Sequence, residues 1–255
     1  MATGDAKILA KGLNLLEILA QSAKGMTAVE LADSVGVHKT TVYRYLNTLL
    51  QAGYLQTNGD GLYRLGNKIL QLSGQLLRRM PIRETAHPFL VKLSAETQKT
   101  VHLCVLDGMD VVYIDKIENQ RSLPMISRIG SRAPAYCTGI GKALLSTLPT
   151  DQVVSLLQEG TLEKRTPTTI TDPMQLLEEL KITAARGYAI DNGEHEEGIK
   201  CFAATIRAYG AEIVGAISIT GLKREFDNSA ESEKMIAVVK KTVDEISQAL
   251  GYVER

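Results

Sequence analysis

Three residues near the start of the chain, Ala32, Gly36 and Val42, restrict its fold more than any composition figure. A small residue where two helices cross, a glycine four positions later in the turn and an apolar residue six beyond that form the steric pattern of a helix-turn-helix, whose second helix enters the major groove. The flanking residues agree. Ala10 to Ser22 sets Leu13, Leu16, Ile18 and Leu19 on one side of a helix, and Thr27 stands three residues before Glu30, the spacing of a capping box. A second helix is therefore predicted from Thr27, turning Leu31, Ala32 and Val35 inward and stopping at Gly36, which takes a positive φ without strain.

The next stretch, "HKTTVYRYLNTLL" (His38 to Leu50), places Val42, Leu46, Leu49 and Leu50 on about a third of a helical wheel. Thr40, Tyr43, Arg44 and Asn47 project from the other side. After Gly53, "YLQTNGDGLYRLG" reads as two short strands around Asn58-Gly59-Asp60-Gly61, which makes the module a winged helix-turn-helix. The polar face then has a use. Lys39 and Arg44 suit guanine edges or phosphates, Asn47 suits adenine, and Thr40, Thr41 and Tyr43 offer hydroxyls to phosphate. An ordinary solvated face is the bland alternative for this helix alone; capping box, glycine turn and wing in succession favour DNA.

At 255 residues the chain exceeds a typical domain, and a cut at Pro81 exposes a charge asymmetry that a net charge of zero hides. Residues 1–80 carry 9 Lys+Arg against 5 Asp+Glu, a surplus of four positive charges, which the remaining 20 against 24 cancels. A polyanion partner is suggested for the first part only. The three cysteines, Cys104, Cys137 and Cys201, form no CxxC pair and read as reduced thiols. With no long apolar run and no secretory-type apolar region at the start, a cytoplasmic protein without a membrane partner is expected. The boundaries expected are 1–66 for the winged helix, 67–81 for a linker helix and 82–255 for the second domain. Ile69, Leu70, Leu72, Leu76 and Leu77 cover more than one stripe of that linker. It is expected to pack on the neighbouring domain and on a partner subunit, with Pro81 marking its end.

Beyond residue 82 the pattern is α+β. Helices are predicted at Ile82–Thr97, Gly139–Leu148, Asp151–Gln158, Met174–Arg186 and Ser229–Leu250. "TVHLCVLD" and "VVYIDKIE" form a hairpin around Gly108, "MISRIG" adds a strand, and "CFAATIR" and "EIVGAISIT" bracket Tyr209-Gly210. Two stretches suggest a small-molecule site. "YCTGIGKALL" puts Gly139, Ile140 and Gly141 at a helix start, where free amides suit a carboxylate, or where glycines merely allow close packing. "YAIDNGEHEEGIKC" joins two strands through a charged loop with Asp191, His195 and Cys201, a pocket wall or a solvated loop.

"KTTVYRYLNTL", "SRIGSRAPAYCTGIGKALL" and "RGYAIDNGEHEEGIKC…AISIT" together resemble the IclR family of transcriptional regulators, over about residues 8 to 250. The resemblance implies a winged-helix domain, a linker helix and a GAF-like effector-binding domain, working on a double-stranded DNA operator as a homodimer or dimer of dimers, most simply as a repressor. Carried over by position, it implies Gly139 and Ile140 as backbone donors to a ligand carboxylate, Asp191 and Cys201 facing it, and Ser218 and Thr220 lining the last strand. His38 stands where many members have Ser, and it is a poorer N-cap. Ile140 is bulkier than the Ala of some relatives. The wording is similar to members that control sugar-acid catabolism, which implies a 2-keto sugar acid or related small carboxylate. Arg128 and Arg132 would assist an anion or be solvated. No cofactor is implied.

Three rivals remain open on the sequence. Asp191, His195 and Cys201 are the residue types of a cysteine-nucleophile triad, and equally of a zinc site that would make the regulator metal-responsive. The third makes the wing a protein-docking module with no DNA target, in which case binding would survive high salt.

Overall fold

The computed structural model describes residues 4–253 except 123, 159 and 227, so the outermost ends of both expected domains lie outside the described residues. The chain divides into two compact units, Met1–Arg79 and Met80–Arg255.

The first unit contains α1 (Gly4–Gln21), β1 (Met26–Thr27), α2 (Ala28–Val35), α3 (Lys39–Gln51), β2 (Leu55–Thr57), β3 (Leu62–Leu65) and α4 (Asn67–Arg78). The capping box is formed: Glu30 N–H donates to Thr27 Oγ1 at 3.3 Å, while Thr27 N–H donates to Glu30 Oε2 at 2.8 Å. Gly36 caps α2 at φ 61, left-handed as the turn demands. His38 makes no side-chain cap, yet α3 begins at Lys39, because Thr41 and Val42 amides both donate to the His38 carbonyl. Leu15, Leu31, Val42 and Leu46 are fully buried in one core, each contributing about 1.5–3 kcal/mol. The wing hairpin β2–β3 gains β1 as a third strand, in the order β1-β3-β2. Two residues made a strand of "MT" too short to show in periodicity.

The second unit contains α5 (Pro81–Thr97), β4 (Thr100–Asp107), β5 (Asp110–Ile117), β6 (Arg132–Pro134), α6 (Gly139–Leu145), α7 (Thr150–Gln158), α8 (Pro173–Arg186), β7 (Ala189–Asn192), β8 (Ile199–Arg207), β9 (Ile213–Leu222) and α9 (Ser229–Ala249). Six antiparallel strands form one sheet in the order β6-β5-β4-β9-β8-β7. Strand alternation assigns its faces. Val101, Leu103, Phe202, Ala204, Ile206, Ile217 and Ile219 pack against α5 and α9. The intervening residues Cys104, Ala203 and Ala216 pack under α6 and α8. The α+β class is as the sequence indicated.

Four expectations need correction. "MISRIG" is a loop rather than a strand. Its backbone groups are taken by side chains, with Lys116 Nζ donating to the Met125 and Ser127 carbonyls, each at 2.7 Å, and Glu118 accepting from Met125 N–H. The strand there is β6, which starts at Arg132. The α6 helix stops at Leu145 rather than 148, since Pro149 disfavours helical backbone just before it. Pro81 does not end the linker helix: α4 ends at Arg78, and Pro81 opens α5, where its missing N–H costs nothing. The first helix begins at Gly4, ahead of Ala10. In α4 no residue is buried, and Leu70, Leu72 and Leu76 are exposed. No described helix is long and apolar enough to cross a membrane.

Candidate functional site

Helical periodicity on α3 separates two jobs. Val42 and Leu46 point into the core, while Lys39, Thr40, Tyr43, Arg44 and Asn47 are exposed and Thr41 is half-buried. The side chains of Lys39, Arg44 and Asn47 have no hydrogen bond or ion pair among the described residues, so their donors face solvent. The wing loop is pre-shaped, with Asp60 accepting from Leu62 N–H at 3.0 Å and pairing with Arg64 at 2.7 Å.

In the second unit, strand register builds a polar floor. Asp191 on β7 pairs across to Cys201 on β8, Cys201 to Thr220 on β9, and Ala203 to Ser218, which lies beside His102 on β4. Alternation puts these side chains on the sheet face covered by α6. Gly139 and Ile140 open α6, where their amides have no intrahelical acceptor, and Thr138 caps the helix by accepting from Gly141 N–H at 3.2 Å. A Cβ on Gly139 would meet Cys201 Cβ at 3.4 Å and the Asp191 nitrogen at 3.5 Å, so the helix start lies directly on the β7–β8 floor. Gly141 has a different constraint: any side chain there would overlap the Ala135 backbone. Between floor, helix start and the 125–127 loop lies a cavity of about 320 Å³. All six residues that the resemblance nominated, Gly139, Ile140, Asp191, Cys201, Ser218 and Thr220, line it.

Burial governs the chemistry of its walls. It pushes the Asp191 carboxyl up to about 7, against opposing help from the Glu194 backbone N–H at 2.7 Å. His195 is held down at about 4 by burial and by the Arg165 charge, and His102 at about 3 by burial and Lys116, so both rings are neutral near pH 7. His102 Nε2 is 2.8 Å from Ser127 Oγ, and its ring stands edge-on to Tyr113, with centroids 5.1 Å apart. Behind the wall, Lys142 is 1% exposed and pairs with Glu194, whose second carboxylate oxygen is buried without a hydrogen-bond partner among the described residues. Desolvation raises the Glu194 carboxyl, and the ammonium beside it opposes that shift.

Sequence reasoning missed His102, Tyr113, Ser127 and Arg165, which also line the cavity. The histidine and tyrosine sit mid-strand in apolar runs, where only the fold reveals which face they take; the 161–172 segment carrying Arg165 showed no periodicity to read. Arg132 lines the cavity but is tied to Asp107 and Asp110, whereas Arg128 belongs to an exposed turn outside it. The Asp191, His195 and Cys201 triad does not assemble. His195 Nδ1 faces Cys137 Sγ at 3.7 Å, Cys201 Sγ lies 3.2 Å from Thr220 Oγ1, and burial pushes both thiols up, away from the thiolate. Among the described residues no group of three or more His, Cys, Asp or Glu side chains is placed to hold a metal ion. All three cysteines are buried free thiols.

A winged helix-turn-helix followed by a six-stranded α+β domain that holds a cavity is the architecture of a two-domain DNA-binding transcriptional regulator. The chain belongs to the IclR family: the IclR helix-turn-helix domain matches residues 8–59, and the bacterial transcriptional regulator IclR C-terminal domain matches residues 74–248. Transcriptional repressor IclR of Escherichia coli (strain K12) is 33% identical over 253 residues, 98% of this chain and 92% of that protein. The HTH-type transcriptional regulator KdgR of Dickeya chrysanthemi is 34% identical over 246 residues, 95% of this chain and 79% of that protein. The crystal structure of the Thermotoga maritima IclR superposes with a TM-score of 0.78 at 35% identity, covering 96% of this chain and 98% of that one.

Proposed function

We propose that this regulator is a repressor that holds a double-stranded operator through Lys39, Thr40, Thr41, Tyr43, Arg44 and Asn47, and that a small carboxylate, a keto or sugar acid, controls it from the cavity. One observation carries the effector reading. Residues from four separate elements, α6, β7, β8 and β9, converge on a single cavity that offers free helix-start amides at one wall and hydroxyls, an acid and a thiol at the others. Gly139 and Ile140 would donate their amides to the carboxylate. Asp191, Cys201, Ser218 and Thr220 would meet the ligand's hydroxyl or keto groups, and Ile140 would set how much room they have.

The mechanism is a two-state one. Ligand favours one orientation of the DNA-reading heads, the operator favours another, and the coupling equals the ligand's differential affinity for the two. Action as a homo-oligomer in the cytoplasm fits this reading, since two heads reach two half-sites. The exposed leucines of α4 are the natural contact between copies. Fluorescence anisotropy on labelled DNA from upstream of the protein's own gene, at two salt concentrations with and without keto and sugar acids, tests it. Salt-sensitive binding altered by an acid supports the reading; DNA binding that no acid changes removes the effector half, and binding that persists at high salt removes the phosphate contacts.

A further inference from the structure

A carboxylate that enters a cavity sheds hydration, and that costs several kcal/mol unless an opposite charge meets it. The α6 helix has only seven residues, and its start offers a partial charge. Two acidic residues, Asp191 and Glu196, line the same cavity and would repel an anion whenever ionised. The cations nearby are mostly committed. Arg132 pairs with Asp107 and Asp110, Lys116 with Glu118 and two loop carbonyls, and Lys142 lies behind the wall on Glu194.

Arg165 differs. It lines the cavity, and its guanidinium has neither a hydrogen bond nor an ion pair among the described residues. Its charge is felt at Tyr136, Cys137 and His195, and Cys137 lies two residues ahead of Gly139. Its backbone is also fixed to the β7–β8 turn that follows Asp191. Thr166 Oγ1 donates to the Gly193 carbonyl at 2.6 Å, Thr168 Oγ1 to the same oxygen at 2.7 Å, and Thr169 Oγ1 to the Glu194 carbonyl at 2.6 Å, while Thr169 Oγ1 accepts from Arg165 N–H at 3.2 Å. The arginine is thus mounted on the β7–β8 turn, on the effector wall itself.

We propose that Arg165 is the specificity-determining cation of the cavity, pairing with the effector's carboxylate beside the Gly139 and Ile140 amides; this rests on reading the cavity as a carboxylate site. A planar guanidinium gives the carboxylate two parallel hydrogen bonds, which an ammonium does not. It also makes the site select acids over neutral molecules of equal shape.

The test is calorimetric titration of the full chain with 2-oxobutanoate, D-gluconate and D-galacturonate, each against its neutral amide, in wild type, Arg165→Ala and Arg165→Lys. An acid that binds wild type should weaken about 10- to 100-fold in Arg165→Ala and recover partly in Arg165→Lys, with the amide's affinity unchanged. Thermal midpoints without ligand should match, because the guanidinium holds nothing in the fold. An acid whose affinity changes by less than about twofold in Arg165→Ala, or an amide that weakens as much as its acid, overturns the assignment and leaves the carboxylate cavity standing. No binding of any acid to wild type overturns the cavity reading, and the assignment with it.

Discussion

Val42 and Leu46 are fully buried on the same helix that leaves Arg44 and Asn47 in water, whereas in the second unit Asp191, Lys142 and Glu194 are themselves in the interior. The first unit divides core and surface across the two sides of one helix, so stability and the proposed DNA contacts rest on different residues. The second unit does not. Its polar groups are part of the core: Lys142 on α6 pairs with Glu194 on the β7–β8 turn behind the cavity wall, and Asp191, which lines the cavity, accepts from the Glu194 N–H. Charge on a surface is cheap to keep and to lose; charge in an interior is costly without its partner.

The comparison is broken or sharpened most by Lys142. Replacing it with Met strands the Glu194 carboxylate in the interior and should cost about 3–5 kcal/mol, read by chemical denaturation. Adding Glu194→Leu should restore most of that loss. If Lys142→Met alone is as stable as wild type, the buried pair is not a structural element and the contrast between the units fails.

Next in size is Asp191, whose effect depends on pH. Its carboxyl titrates at about 7 when folded against the ordinary 3.8, so the folded state holds the proton more tightly than the unfolded chain. The penalty for burying it is absent below about pH 4, grows as pH rises, and is complete above about pH 7, where it reaches about 4 kcal/mol at most. Asp191→Asn removes the penalty. The stability of that variant relative to wild type should climb between pH 4 and pH 7, and a flat difference would mean that the carboxyl is not desolvated.

Arg44→Ala tests the other unit. It should weaken DNA binding by about 1–3 kcal/mol, while unfolding moves by less than about 0.5 kcal/mol. Equal losses in binding and stability would show that the exposed face is structural after all. The smallest effect is expected at Thr27→Ala, which removes one half of the capping box and should cost about 1 kcal/mol in the first unit with the cavity of the second untouched.

Legibility followed the range of the interactions. The capping box, Gly36, the wing turn and the polar face of α3 are encoded within a few residues of one another, and periodicity exposed them. The strands of the second unit were legible as strands, but not their order. The Met125–Gly130 stretch misled because a short run with Met125, Ile126 and Ile129 has strand-like composition, while Lys116 and Glu118, paired with it only in three dimensions, take its backbone groups. Of the cavity, Gly139, Ile140, Asp191 and Cys201 drew notice from local pattern, and Ser218 and Thr220 gained meaning only through the resemblance to the family.

The sequence by itself determined the helix-turn-helix, its wing, the α+β character of the remainder and the polarity difference between the two parts, because each follows from short-range periodicity, capping and turn chemistry. Only the tertiary structure decided that His102, Tyr113 and Arg165 share one cavity with Asp191 and Ser218, and that Lys142 finds its carboxylate on the β7–β8 turn. Those groups are far apart along the chain. Their meeting depends on sheet order and register, which fix the neighbours of every strand and which no local pattern encodes.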